Sequence, residues 1–168
     1  VGWAPNVGLG FQAGARFTYS DSSGQFAPHE IPPGVFFAGR ANGFFDLDAQ
    51  IDDGMRAGLM AAAELGRFDD QIPEPPAAES NAASHPYPIF EHPGRKNFVD
   101  LDEDLHLVDF QNAHHEGYDN IELMKRYTTV GMGPSQGKLS NTNAVRILAA
   151  LNNASINQTG STTSRPFY

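Results

Sequence analysis

Cysteine is absent from this chain of 168 residues, and lysine and arginine together number 11 against 20 acidic residues. The first absence excludes disulfides and thiolate metal sites. The second leaves a formal charge of -9, and with so few, scattered cations no nucleic-acid partner is expected, because neutralising phosphates needs clustered Lys and Arg. Long apolar runs are also missing. The longest, GLMAAAELG from Gly58 to Gly66, falls far short of the ~20 residues that cross a bilayer. No charged-then-apolar leader is visible either, so no membrane segment is expected and a cytoplasmic setting is the default. Two phosphate-binding motifs fail as well. A Walker loop ending at Lys138 would need glycine where Met132 stands and Ser or Thr where Leu139 stands. The glycines around it follow a helix rather than a strand, which rules out the dinucleotide fingerprint at that place.

What is present divides into residues 1–67, 68–96 and 97–168, enough for one ordinary domain or two small ones. Val1 to Gly14 reads as a loop, and Phe17–Tyr19 and Gln25–Pro28 as short strands about the polar turn Ser20–Gly24. Pro32, Pro33 and Gly34 then lead into VFFAG (Val35–Gly39), a compact apolar run of the kind that forms a buried parallel strand. Leu47, Ile51, Met55, Leu59 and Ala62 recur at helical spacing, with Asp46 or Asp48 as cap and Gly66 as stop, which predicts an amphipathic helix burying that face. Residues 68–96 are rich in Pro, Ala, Ser and acid, and read as an extended linker pinned to a neighbouring surface by Tyr87, Ile89 and Phe90.

The last part reads as a small helical unit introduced by a strand at Phe98–Asp100. A first helix runs from about Leu107 to Glu116 and stops at Gly117; a second is capped by Asp119 with Glu122 and turns Ile121, Met124 and Tyr127 inward; a third starts near Asn141 and buries Val145, Leu148 and Leu151. The acidic run Asp100, Asp102, Glu103 and Asp104 lacks the glycine and terminal glutamate of an EF-hand loop, and reads as a charge run at a helix start. His114 and His115 are adjacent, so on a helix they point about 100° apart and cannot chelate one metal together. No metal site is expected.

The organising stretch is KRYTTVGMGPSQGKLS, Lys125 to Ser140. Gly131, Gly133 and Gly137 let the backbone turn tightly, and Ser140 or Asn141 can cap the next helix. Such a loop with Lys138 beside it suits either an anion resting against bare amides or a plain turn between helices.

FVDLDED (Phe98–Asp104), GYDNIELMKRYTTVGMGPSQGKLSNTNAVRI (Gly117–Ile147) and TGSTTSRP (Thr159–Pro166) resemble the central region of the alpha subunit of heterotetrameric sarcosine oxidase. GWAPNVGL (Gly2–Leu9) and the run from Pro32 to Gly66 resemble the closing part of the dinucleotide-binding domain that precedes that region. The resemblance implies an α/β tail of a dinucleotide-binding domain, followed by a small mainly α domain like the bacterioferritin-associated ferredoxin fold. It also implies a piece of a longer polypeptide. Four positions that hold an iron–sulfur cluster in related dehydrogenases are here Asp100, Asp102, Ser135 and Ser140, so no cluster is expected.

The family's cofactors imply NAD lined by Gly39, Arg40, Asn42, Gly43 and Asp48, although Asp46 and Asp48 serve equally as helix caps and Arg40 as their ion-pair partner. They imply flavin mononucleotide (FMN) between alpha and beta subunits, contacted by Lys125, Arg126, Thr128, Thr129, Gln136 and Lys138. FAD would lie in a flavin-bearing beta subunit, with tetrahydrofolate in a further C-terminal domain, within a hetero-oligomer that includes small subunits. The implied reaction is oxidative demethylation of sarcosine to glycine with hydrogen peroxide and methylene-tetrahydrofolate. This piece itself would carry no catalytic residue. The alternatives are a noncatalytic scaffold derived from a ferredoxin-like domain, or the alpha subunit of a related N-methyl amine or proline dehydrogenase.

Overall fold

The computed structural model describes residues 5–77, 92–94 and 96–162. The chain divides into two compact units, Val1–Ser84 and His85–Tyr168.

The first unit opens with a short helix, α1 (Gly8–Gln12), where a loop is expected. Packing explains the difference: a Cβ on Gly10 would come within 2.4 Å of the Phe37 ring, so glycine lets this turn close beneath an aromatic cluster. Phe17 stands at its centre, 4.4 Å from the Phe11 ring and 5.6 Å from that of Phe37, edge-on to the latter. β1 (Arg16–Ser20) and β2 (Gln25–Glu30) form the expected antiparallel hairpin. Gly24 closes its turn at φ 63°, donating its amide to the Ser20 carbonyl. VFFAG does not form a parallel strand. It runs unpaired among the described residues, because the other strands of this unit bond only each other and an apolar run becomes a strand only with a ladder partner.

α2 (Leu47–Glu64) follows. The Asp46 carboxylate accepts the Asp48 and Ala49 amides at 2.9 and 3.2 Å, a regular N-cap. Gly66 at φ 65° ends the helix: its amide bonds the Ala63 carbonyl while the Arg67 amide reaches that of Ala62, the Schellman pattern. The predicted inner face is the outer one. Leu47, Ile51 and Met55 are 68, 59 and 56% exposed, Leu59 and Ala62 are half-buried, and the enclosed residue of α2 is Asp53, on the opposite side of the helix. Residues 68–77 carry no regular element. Tyr87, Ile89 and Phe90 lie outside the described residues.

In the second unit, β3 (Phe98–Asp100) pairs with β4 (Leu105–His106), a strand the sequence does not announce. α3 (Leu107–His115) ends at Gly117, φ 95°, with the same closing pair of bonds as α2, from Gly117 to His114 and from Tyr118 to Ala113. α4 (Ile121–Thr128) is capped by Asn120, not Asp119: the Asn120 side chain accepts the Glu122 amide at 2.9 Å. Asp119 contributes only its carbonyl, which accepts from the Asn152 amide group. α5 (Asn141–Leu151) carries the longest buried face, and a single turn, α6 (Ile156–Thr159), is held by reciprocal bonds between Ser155 and Gln158.

Phe110, Ala113, Ile121, Met124, Val130, Ala144, Val145, Ile147 and Leu148 form the core of this unit. Each large side chain among them contributes roughly 1.5–3 kcal/mol of transfer free energy. Leu151 is half-buried. Tyr127 lies outside the core, stacked on Tyr118 at 4.0 Å with its hydroxyl donated to Glu116, because the phenol needs a polar partner that the core lacks. His114 bonds Asn152 at 2.9 Å and His115 is exposed. Among the described residues no helix is long and apolar enough to cross a membrane, and no group of acidic or histidine side chains is arranged to hold a metal.

Candidate functional site

In the first unit, the candidate residues Gly39, Arg40, Asn42 and Gly43 share one 3-10 turn, Gly39–Asn42, closed by Gly43 at φ 94°. Gly39 takes φ 60° and donates its amide to Asp53 Oδ2 at 2.8 Å. The Asn42 side-chain amide reaches both Asp53 oxygens, at 3.1 and 3.2 Å. Two of the predicted donors are therefore spent on building the turn. Arg40 is exposed, and nothing lies within 4 Å of where a Gly43 Cβ would sit. An exposed guanidinium beside open backbone fits an anionic pyrophosphate. Asp48 is exposed in the first turn of α2 with its amide on Asp46, which places it in the cap. A groove of about 420 Å³ adjoins the turn at Asn42, walled by Val35, Phe37 and Met60, with Arg56 and Glu64 among its polar groups. Asp53 is absent from the sequence-based candidates, since an acid within a helix reads as a solvent-facing charge.

In the second unit, the β3–β4 turn meets the glycine loop that joins α4 to α5. Asp100, 2% exposed, accepts the Gly131 amide on Oδ2 at 2.9 Å and the Asp102 amide on Oδ1 at 3.0 Å. Asp102 Oδ2 accepts the Ser135 amide at 2.8 Å. The Ser135 hydroxyl, then that amide, hold the Asp102 carboxyl below its ordinary value. Glu103 accepts the hydroxyl of Thr129, itself at φ 65°, at 2.9 Å. Most of the acidic run is thus no charge run at a helix start: Asp100 and Asp102 turn toward backbone amides and Glu103 toward the Thr129 hydroxyl, tying the loop down, while exposed Asp104 stands 3.8 Å from His106, the cap residue of α3. The glycines admit this contact, because a Cβ on Gly133 would stand 2.4 Å from Asp102 Cβ. Ser140 occupies the cap position of α5, fully buried, without making a side-chain capping bond.

The six loop candidates divide by what their donors do. Thr128 is buried and donates to the Met124 carbonyl at 2.8 Å. Gln136, at φ 52°, donates to the Gly133 carbonyl at 2.9 Å. Lys125 reaches the Thr162 hydroxyl at 3.4 Å, which in turn donates to Glu122. With Thr129 on Glu103, four of the six shape the unit itself. Arg126 and Lys138 are exposed. A phosphate does not fit inside this loop, because carboxylates already occupy the Gly131 and Ser135 amides and would repel it. An anion fits only against the outward side chains.

Residues 94–168 match the family model described as the sarcosine oxidase A3 domain. The sarcosine oxidase alpha subunit of Rhizobium meliloti (strain 1021) is 36% identical over 99% of this chain and 17% of its own length. The protein of the same name from Corynebacterium sp. (strain P-1) is 28% identical over 89% of the chain and 16% of its length. An opine oxidase subunit of Rhizobium meliloti (strain 1021) is 25% identical over 98% of the chain and 40% of its length. The chain thus spans less than a fifth of the sarcosine oxidase subunits it matches. Among solved structures, L-proline dehydrogenase from P. horikoshii superposes with a TM-score of 0.75 at 19% identity, covering 98% of this chain and 35% of that one. At that identity the likeness concerns the fold.

Proposed function

We propose, on the premise that this chain belongs to the sarcosine oxidase alpha-subunit family and that residues 94–168 are its A3 domain, that it is the cofactor-positioning part of a flavin-dependent amine oxidoreductase. The observation that carries this is the continuous match to oxidase subunits across both units, 36% identical over 99% of the chain. The substrate class is a secondary N-methyl amine, sarcosine first. The products are glycine, hydrogen peroxide and a one-carbon unit passed to tetrahydrofolate. The partners are a flavin-bearing beta subunit, which holds FAD, together with further small subunits in a cytoplasmic hetero-oligomer.

Arg40 on its rigid turn holds the pyrophosphate of NAD, while Gly39 and Asn42 keep that turn in shape and Asp48 supports the start of α2. Arg126 and Lys138 meet FMN, or the part of the beta subunit that surrounds it, from outside the glycine loop. Lys125, Thr128, Thr129 and Gln136 set the surface from which they project. A bound flavin supplies the two-electron acceptor for amine oxidation. This chain supplies no acid, base or nucleophile to that step.

The internal use of the loop's donors also favours a second reading, a scaffold descended from a ferredoxin-like domain. One measurement separates the two. The native assembly is denatured and its released and protein-attached nucleotides are identified by mass spectrometry. NAD and FAD released, with FMN on a partner, is the expected result; an assembly with neither nucleotide nor flavoprotein partner refutes the oxidase reading and leaves the scaffold.

A further inference from the structure

Asp53 is completely enclosed, yet it lies on a helix whose Leu47, Ile51 and Met55 are more than half exposed. Burying a carboxylate is costly unless its oxygens are hydrogen-bonded. Here they take the Gly39 amide at 2.8 Å and the Asn42 side-chain amide at 3.1 and 3.2 Å. One turn earlier on the same side of α2, Gln50 donates to the Phe45 carbonyl at 2.8 Å. Its Cγ would be 3.5 Å from a Cβ on Gly39, so it packs against the start of the turn as it bonds the end. Two neighbouring side chains of one helix therefore grip the segment 39–45 at both ends. Gly39 at φ 60° aims its amide inward at Asp53, and Arg40, the next residue, is left exposed.

We infer that Asp53, seconded by Gln50, is the positioning residue of the dinucleotide-facing turn: it fixes Gly39–Asn42 so that Arg40 meets the anionic part of a dinucleotide without a search for the right backbone shape. The inference rests on the nucleotide reading of this turn given above. Asp53 touches no ligand in this arrangement. Its effect is preorganisation, so it raises affinity by reducing the ordering that binding must cost.

The test uses the native assembly stripped of nucleotide, with NAD itself as probe, and reads NAD affinity and thermal melting together. Wild type binds NAD. Asp53→Ala removes the acceptor and weakens NAD binding about tenfold, the usual effect of orphaning a buried donor. Asp53→Asn keeps one oxygen for the Gly39 amide and offers its own amide to Asn42 turned about, so it stays within about twofold of wild type. Asp53→Ala binding NAD as wild type does overturns the role of Asp53 while the nucleotide reading stands. So does Asp53→Asn binding as weakly as Asp53→Ala. Wild type that binds no NAD overturns the nucleotide reading and this inference with it. If Asp53→Ala fails to assemble, Gln50→Ala releases the other end at a half-buried, singly bonded side chain. A loss of about threefold at unchanged melting is then expected, and unchanged affinity overturns the inference.

Discussion

Replacing Gly131 by alanine asks how tightly the glycine loop is packed against α5. The residue sits at φ 74°, and an added Cβ would lie 2.2 Å from Asn141 Oδ1 and 3.1 Å from the Gly137 Cα. The left-handed backbone costs an L-residue about 1 kcal/mol. Relieving the overlap adds about 2 kcal/mol, because Asn141 is itself buried and the second neighbour is backbone. The sum, about 3 kcal/mol, shows in native-state hydrogen exchange of the α5 amides as roughly a hundredfold acceleration. Gly117→Ala is the control: it has φ 95° with nothing within 4 Å of its Cβ. Only the backbone cost remains there, and about fivefold is expected. If the two variants accelerate exchange equally, the packing of the loop on Asn141 contributes nothing and the reasoning is refuted.

Three other outcomes follow from the ties of the second unit. Asp100→Ala orphans the buried Gly131 amide and lowers stability by about 2 kcal/mol in urea unfolding; an unchanged midpoint counts against the tie. Folding lowers the pKa of Asp102 through Ser135, so that bond contributes in full above the unfolded value of about 3.9 and is lost as pH falls through the lower folded one. Carboxyl NMR should place the Asp102 midpoint below about 3.9, with Ser135→Ala moving it up. The Tyr127 phenol is shifted the opposite way, raised first by its bond to Glu116. Its contribution is complete below the unfolded value of about 10 and disappears as pH rises through the folded one; Glu116→Gln should bring the phenolate absorbance midpoint down.

The four longer helices, α2 to α5, were legible in this chain where short α1 and α6 were not, and the reason is local. Asp46, Gly66 and Gly117 are start and stop signals whose geometry depends on the few residues beside them. What depends on distant partners is not legible in the same way. The apolar spacing along α2 fixed its period but not which side turns inward, and Asp53 is recognised only through Gly39 and Asn42, on the turn that precedes the helix. VFFAG has the composition of a strand, which says nothing of whether a ladder exists to receive it. Asp119 and Asn120 are both good caps, so sequence could not rank them. At the candidate site, reading Lys, Thr and Gln as donors was sound chemistry, but sequence does not show donors already committed to Met124, Glu103 or Gly133. The acidic run and the glycine loop each stand out without the bond between them, since Gly131 lies a full helical hairpin beyond Asp100.

The carboxylate ties have a consequence for how this part of the molecule is made and kept. A loop fastened by Asp100 and Asp102 to backbone amides takes its shape from groups the chain itself carries. Those ties also contain no sulfur for an oxidant to attack. Carboxylate and amide outlast oxidants that would open a thiolate fastening, so the shape of this loop is indifferent to the redox state of its surroundings.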